Sequence, residues 1–98
     1  MKKLFITLFT ALLAIPGLAQ TNFRPLTLDQ AVEQAKKENK LVFVDFYTDW
    51  CGPCRVMANT VFPQKKVGDY FNARFVCIKL NAEKEGKEDA ATYQVKAY

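Results

Sequence analysis

Two short apolar runs constrain the fold more than any other feature of the chain. "LVFVDFY" (Leu41 to Tyr47) is apolar on both alternating faces except at Asp45, and "FVCIKL" (Phe75 to Leu80) is also strongly apolar. Runs of this length, rich in β-branched and aromatic residues, are typical of strands buried on both sides of a sheet. We therefore predict two central strands with a long structured segment between them.

A helix is predicted before the first strand. Thr27 and Gln30 fit a capping box, in which each side chain binds a backbone N–H group that the first helical turn leaves free. The apolar residues that follow have the spacing i, i+3, i+4, i+7, which forms one stripe along a helix: Leu28, Ala31, Val32 and Ala35.

Further helices are predicted between and after the strands. One begins near the cysteine pair and runs to the break at Pro63, a second surrounds Val67 to Phe71, and a short one covers Glu88 to Tyr93. The order helix, strand, helix, helix, strand, helix implies crossover connections and a parallel sheet with helices on its faces.

The N-terminus has the pattern of a secretory signal peptide. Lys2 and Lys3 precede the apolar run Leu4 to Ile15, and small residues lead up to Ala19. As a helix, twelve residues rise only about 18 Å, too short for a hydrocarbon core of roughly 30 Å. We predict a signal peptide at 1–19, a linker at 20–26 and one domain at 27–98.

Charge and composition exclude some function classes. The formal net charge is +4, but two of the positive charges belong to the predicted signal peptide. The other lysines are interspersed with acids and form no basic stripe with aromatic residues, so we expect no nucleic-acid partner. We expect a monomer that would contact a membrane only through an uncleaved signal peptide.

The stretch "TDWCGPCRVM" (Thr48 to Met57) contains a Cys-x-x-C motif directly after the first strand. A closed zinc site needs about four Cys or His ligands, and the chain has three cysteines and no histidine. Covalent haem attachment needs a histidine where Arg55 stands. A structural disulfide remains open, although so small a loop removes little entropy from the unfolded chain. A reversible dithiol–disulfide couple is favoured.

The position of the pair suits redox chemistry. A cysteine at a helix N-terminus has a lowered thiol pKa, because the helix dipole and free N–H groups stabilise the thiolate. We expect Cys51 to be exposed and to attack a substrate disulfide. Cys54 should be shielded and should resolve the mixed disulfide.

"VDFYTDWCGPC" resembles the active-site strand and loop of the thioredoxin superfamily, and the resemblance extends from Thr27 to Tyr98. It implies an α/β, thioredoxin-like fold with a central, mostly parallel sheet flanked by helices. It also implies a thiol–disulfide oxidoreductase. Cys51 resembles the nucleophile and Cys54 the resolving thiol, while Trp50, Gly52 and Pro53 resemble the substrate-facing surface.

The resemblance also assigns two charged residues. Asp45 resembles the buried acid that accepts the proton of the resolving cysteine, and Lys79 resembles the lysine that pairs with that acid. The alternative for both is a charge turned to solvent. The third cysteine, Cys77, is expected to be a buried small apolar group.

The sequence departs from the usual family pattern in two places. Asn59 stands where classical thioredoxins have a helix-kinking proline, and "NTVFPQKKV" instead resembles exported thioredoxin-like proteins. The cis-proline loop, two further strands and last helix of the fold are missing, so we expect the chain to be the N-terminal part of a thioredoxin-like protein.

The resemblance points to a reductase, because Gly-Pro lies between the cysteines. The expected partners are protein disulfides and an upstream thiol electron donor, in the periplasm or outside the cell. No cofactor or metal is expected, because the cysteines themselves carry the electrons. The alternative function is a non-catalytic, thioredoxin-fold binding or chaperone-like module.

Overall fold

The computed structural model describes residues 20–98, so the predicted signal peptide at 1–19 lies outside the described residues. The elements are α1 (Leu28–Glu38), β1 (Leu41–Tyr47), α2 (Gly52–Val56), a π-helical segment (Met57–Val61), α3 (Lys65–Arg74), β2 (Phe75–Asn81) and α4 (Lys87–Thr92). The predicted order of helices and strands is confirmed. Between residues 20 and 98, no helix has the length and apolar character needed to cross a membrane.

The two strands pair in parallel, as the sequence predicted. The register sets Leu41 opposite Phe75 and Tyr47 opposite Asn81. In the described part of the chain β1 pairs only with β2, so its residues are partly exposed whereas most of β2 is buried. The prediction that β1 is buried on both sides is therefore wrong for the described residues, because its second edge has no neighbouring strand.

One face of the sheet packs against α1. Val76, Ile78 and Leu80 of β2 form a core with two small residues of the helix, Ala31 and Ala35. The alanines allow the helix to approach the sheet closely. Val42, Val44 and Phe46 of β1 pack against the same core.

The N-terminus of α1 has the predicted capping box. The Gln30 N–H donates to the Thr27 hydroxyl at 3.2 Å, and the Thr27 N–H donates to the Gln30 side chain at 3.0 Å. The helix ends at Glu38, and the C-cap residue Asn39 has a φ of 56° in the left-handed region, where asparagine is tolerated.

The other face of the sheet carries an aromatic cluster. Its closest ring pairs meet edge to face, with centroids 4.8 Å apart for Phe43–Phe71 and 5.0 Å apart for Phe23–Phe62. Aromatic pairs prefer this arrangement. Phe75 completes the cluster. Side chains alternate along a strand, so Asp45 and Lys79 lie on this same face.

Residues 20–26, predicted to be a linker, make specific contacts with β2 and α1. Phe23 forms a parallel bridge with Cys77 of β2, and the Arg24 N–H donates to the Cys77 carbonyl at 2.9 Å. The Arg24 guanidinium donates to both carboxylate oxygens of Glu38, at 2.6 and 2.8 Å, and these bonds hold the pKa of Glu38 well below its usual range. These contacts pack the segment onto the domain. They were not predicted, because Cys77 and Glu38 lie far from it in the sequence.

The helix after the cysteines has a π-helical segment around Asn59, the position where classical thioredoxins have a kinking proline. The Phe62 N–H donates to the Met57 carbonyl five residues earlier, at 3.1 Å, which defines the π-helical segment. The Thr60 hydroxyl donates to the Val56 carbonyl at 2.5 Å. Both features bend helices, and the helical stretch ends at Val61, just before the break predicted at Pro63.

We expect Gly86→Ala to destabilise the full chain by about 1–3 kcal/mol. A Cβ at Gly86 would lie 2.7 Å from the Leu80 Cβ and 2.9 Å from the Asn81 carbonyl oxygen, so the turn after β2 would have to move. The urea unfolding midpoint measures the change.

Gly52→Ala is the matched control, because a Cβ at Gly52 meets nothing within 4 Å. It should leave the midpoint unchanged or raise it slightly, since alanine favours helix. Equal midpoints for Gly86→Ala and the unsubstituted chain would contradict the close packing of this turn.

Candidate active site

Cys51 and Cys54 form a disulfide at the start of α2, with their Cα atoms 5.3 Å apart. Cys51 is the N-cap residue, and its Sγ accepts a hydrogen bond from the Cys54 N–H at 3.2 Å. Gly52 and Pro53 occupy the first helical turn, where the missing N–H of proline costs nothing. The first sulfur therefore lies against the backbone donors and positive dipole of the helix N-terminus.

The predicted exposure of the two cysteines is wrong. Cys51 is only 3% exposed, whereas Cys54 is partly exposed. The reason is local: as the N-cap, the Cys51 sulfur turns inward over the helix end, while Cys54 lines two clefts beside the helix. In this oxidised form the sulfur predicted to react first is the covered one.

The two clefts that meet at Cys54 differ in character. One, of about 330 Å³, is mostly apolar and includes Asp45, Met57 and Tyr98 in its wall. The other, of about 200 Å³, is lined by more polar residues, among them Thr48 and Lys79. The Thr48 hydroxyl is buried and has no hydrogen-bond partner within residues 20–98.

Asp45 is half-buried in the wall of the larger cleft, which it shares with Pro53 and Cys54 of the active-site helix. Burial raises the pKa of its carboxyl, and the nearby charge of Lys79 partly opposes that rise. A raised pKa suits a group that must take up and release a proton near neutral pH.

Lys79 lies opposite Asp45 in the strand register. The two form no ion pair among the salt bridges of the described residues. The Lys79 ammonium instead lies over the rings of Tyr47 and Phe23, 5.1 and 5.4 Å from their centroids. The structure thus brings Asp45 and Lys79 together electrostatically, without the direct contact that the family resemblance suggested.

Trp50 lies at the surface beside the disulfide. The residue is 63% exposed. Its indole N–H donates to the Glu83 carboxylate at 2.9 Å, and its ring meets that of Tyr98 edge to face, with centroids 6.0 Å apart. Sequence analysis missed both partners, because no local spacing connects them to the motif. The one available signal was that parallel strands end at the same sheet edge, which brings the residues after Tyr47 and after Leu80 together.

Cys77 matches its prediction. It is a free cysteine, 1% exposed in the middle of β2, and burial raises the pKa of its thiol. A buried thiol of raised pKa is a poor nucleophile. No group of three or more potential metal ligands occurs within residues 20–98.

Comparisons with known proteins agree with this geometry. A family model described as thioredoxin-like matches residues 22–96. Thioredoxin 1 of Chlorobaculum tepidum is 35% identical over 70% of this chain and 61% of its own length. The thiol:disulfide interchange protein DsbD of Pseudomonas fluorescens is 30% identical over 72% of this chain and 12% of its own length.

A solved structure is also similar. The solution structure of a proposed disulphide-isomerase from Bacteroides thetaiotaomicron is 45% identical, with a TM-score of 0.69 over 81% of this chain and 66% of that protein. The chain spans less than two thirds of the length of each of these three relatives. Its sheet register, its active-site helix and the family match over residues 22–96 together identify the chain as a member of the thioredoxin-like family.

Proposed function

We propose that this protein is a thiol–disulfide oxidoreductase that reduces protein disulfides through Cys51 and Cys54. The observation that carries the proposal is the Cys51–Cys54 disulfide at the start of α2, with the Cys51 sulfur under the Cys54 N–H at 3.2 Å. The names of the relatives, thioredoxin and thiol:disulfide interchange protein, support the same chemistry.

The first step starts from the reduced dithiol. The Cys51 thiolate attacks one sulfur of a substrate disulfide, a mixed disulfide forms, and the other substrate sulfur leaves as a thiolate that takes a proton from solvent. Hydrogen bonding from the Cys54 N–H stabilises the negative sulfur before attack.

The second step resolves the mixed disulfide. Cys54 loses its proton and attacks the Cys51 sulfur, which regenerates the internal disulfide and releases the second substrate thiol. Two electrons have then passed from the dithiol to the substrate, and an upstream thiol donor restores the reduced protein. Asp45 is the proposed proton acceptor for Cys54, because both residues line the same cleft and the carboxyl pKa is raised.

The direction and place of the reaction are finer parts of the proposal. The Gly52-Pro53 pair between the cysteines supports a reductase. The basic start, apolar run and small residues of positions 1–19 support export to the periplasm or beyond, where disulfide substrates persist.

Cysteine substitutions test the chemistry in the full chain. Cys51→Ser should abolish the protein's acceleration of insulin reduction by a dithiol donor, because it removes the thiolate that attacks the substrate disulfide. Cys54→Ser should also stop turnover but should accumulate a covalent mixed disulfide with the substrate, visible by intact mass spectrometry.

Cys77→Ala is the matched control and should retain turnover, because Cys77 is buried away from both clefts. Full insulin reduction by Cys51→Ser would refute the proposal. Binding of partner proteins unchanged by either active-site substitution, with no turnover in the unsubstituted chain, would favour the non-catalytic module instead.

Asp45→Asn should stabilise the protein at neutral pH by on the order of 1 kcal/mol, a modest value because the carboxyl is only half-buried. The folded-state pKa is raised, so the aspartate costs nothing below the unfolded carboxyl pKa of about 3.9. Its cost then develops as the pH rises through the folded-state pKa. Urea unfolding from pH 3 to pH 8 would show the two proteins diverging only toward higher pH.

The same substitution should slow resolution of the mixed disulfide about tenfold, because a proton acceptor is lost. Asp69→Asn is a suitable control, since Asp69 is an exposed acid of α3 paired with Lys65. A stability difference that persists at pH 3, or an unchanged resolution rate, would count against the role assigned to Asp45.

Export is tested by the mature N-terminus. When the full chain is expressed in a bacterium with a periplasm, N-terminal mass analysis of the exported protein should find cleavage between Ala19 and Gln20. Leu12→Arg, which places a charge in the apolar run, should leave the chain uncleaved in the cytoplasm. Cytoplasmic retention of the unsubstituted chain with Met1 or Lys2 at its start would contradict export.

A further inference from the structure

Trp50, the residue before Cys51, makes few contacts for so large a side chain. With 63% of the residue exposed, burial contributes little to fixing its rotamer. Its specific contacts are the hydrogen bond to Glu83 at 2.9 Å and the edge of the Tyr98 ring at 6.0 Å. The carboxylate of Glu83 is therefore the directional contact that sets the plane of the indole.

Glu83 is itself fixed by the turn that follows β2. Asn81, which is only 2% exposed, accepts a hydrogen bond from the Glu83 N–H on its side-chain oxygen at 2.9 Å. The Asn81 N–H donates to the Glu85 carboxylate at 2.7 Å, and the Asn81 carbonyl accepts from the Gly86 N–H at 2.8 Å. The buried Asn81 thus stabilises the turn of residues 81–86 through three hydrogen bonds.

The same turn is also bound to the loop that precedes the cysteines. The Asn81 amide donates to Asp49 at 3.0 Å, and the Lys84 ammonium pairs with the same carboxylate at 2.7 Å. The Ala82 N–H donates to the Tyr47 carbonyl at 2.8 Å. Glu83 therefore reaches Trp50 from a turn that is already bound to the two residues Tyr47 and Asp49 just before it.

An exposed indole beside the nucleophile offers a flat apolar surface with a polar edge, the kind of side chain that anchors a bound chain at protein interfaces. Its value to a partner depends on orientation, since a freely rotating side chain loses entropy when the partner binds. An indole held in one orientation before binding avoids that cost.

We propose that Glu83 is a positioning residue that orients Trp50 for the docking of protein disulfide substrates. The inference rests on the proposed function, since it concerns how substrates reach Cys51. Glu83 touches neither sulfur, so it acts on substrate docking and not on the exchange chemistry.

The test compares Glu83→Ala with Glu83→Gln in the full chain, using insulin and a small chromogenic aryl disulfide as substrates. Glu83→Ala should lower kcat/KM for insulin about fivefold, the size expected for one lost hydrogen bond, mainly through KM. The rate with the small disulfide should not change, because that substrate needs only the sulfur. Glu83→Gln keeps a carbonyl oxygen within reach of the indole N–H and should stay within about twofold of the unsubstituted chain.

Fluorescence gives an independent readout, because Trp50 is the single tryptophan of the chain. Glu83→Ala should lower the fluorescence anisotropy of Trp50 as its side chain becomes free to rotate, and Glu83→Gln should preserve the anisotropy. Glu88→Ala, which removes an exposed acid in the first turn of α4, is the charge-matched control and should alter neither readout.

The outcomes separate the two proposals. If the unsubstituted chain reduces neither substrate, the proposed function fails. If it reduces both, and Glu83→Ala keeps its insulin KM or its Trp50 anisotropy, the role of Glu83 is overturned. An equal loss with insulin and with the small disulfide would also overturn it, because that pattern marks general damage to the site.

Discussion

The parallel pairing of β1 with β2 is the constraint on which the other features of the site depend. Because the two strands run in the same direction and Tyr47 lies opposite Asn81, the backbone leaves both strands at the same edge of the sheet. One exit becomes the loop that carries Cys51, and the other becomes the turn of residues 81–86. The contacts of Asp49 and Trp50 with that turn follow from this placement. A one-residue shift in register would move every side chain of one strand to the other face and separate these groups.

The same pairing divides the domain into two chemically different faces. The face toward α1 is mainly aliphatic and closely packed through Ala31 and Ala35. The face toward α2 is aromatic at one end and carries Asp45 and Lys79 further along the strands. A carboxyl on such a face is poorly hydrated, which raises its pKa, and the lysine that could have neutralised it lies over aromatic rings instead. The proton chemistry proposed for Asp45 is therefore a consequence of which face it occupies.

Local signals in the sequence were sufficient for the elements but not for the contacts between them. The capping box of α1 and the apolar run of β1 are each encoded within about ten residues, and the structure confirms both. The packing of Phe23 and Arg24, the inward turn of the Cys51 sulfur and the bond from Trp50 to Glu83 were not predicted. Each depends on partners brought together by folding, and Glu83 is 33 residues from Trp50. The family resemblance suggested roles for the site residues, but it could not predict the position of the Lys79 ammonium.

The π-helical segment bends the active-site helix around Asn59, where classical thioredoxins have a helix-kinking proline. A proline bends a helix by removing a hydrogen bond, whereas the π-helical turn keeps the Phe62 N–H bonded, to Met57, and accommodates one additional residue. One residue corresponds to a rotation of about 100° around a helix axis, so the extra residue changes the direction in which Phe62 points. Phe62 is 6% exposed and packs against Phe23 and Phe43. Its carbonyl also accepts the Thr21 N–H at 3.0 Å, so the π-helical turn joins the active-site helix to both the aromatic face and the N-terminal segment. The helix that begins at the cysteines is thereby anchored at its far end, through Phe62, to the aromatic cluster and to Thr21.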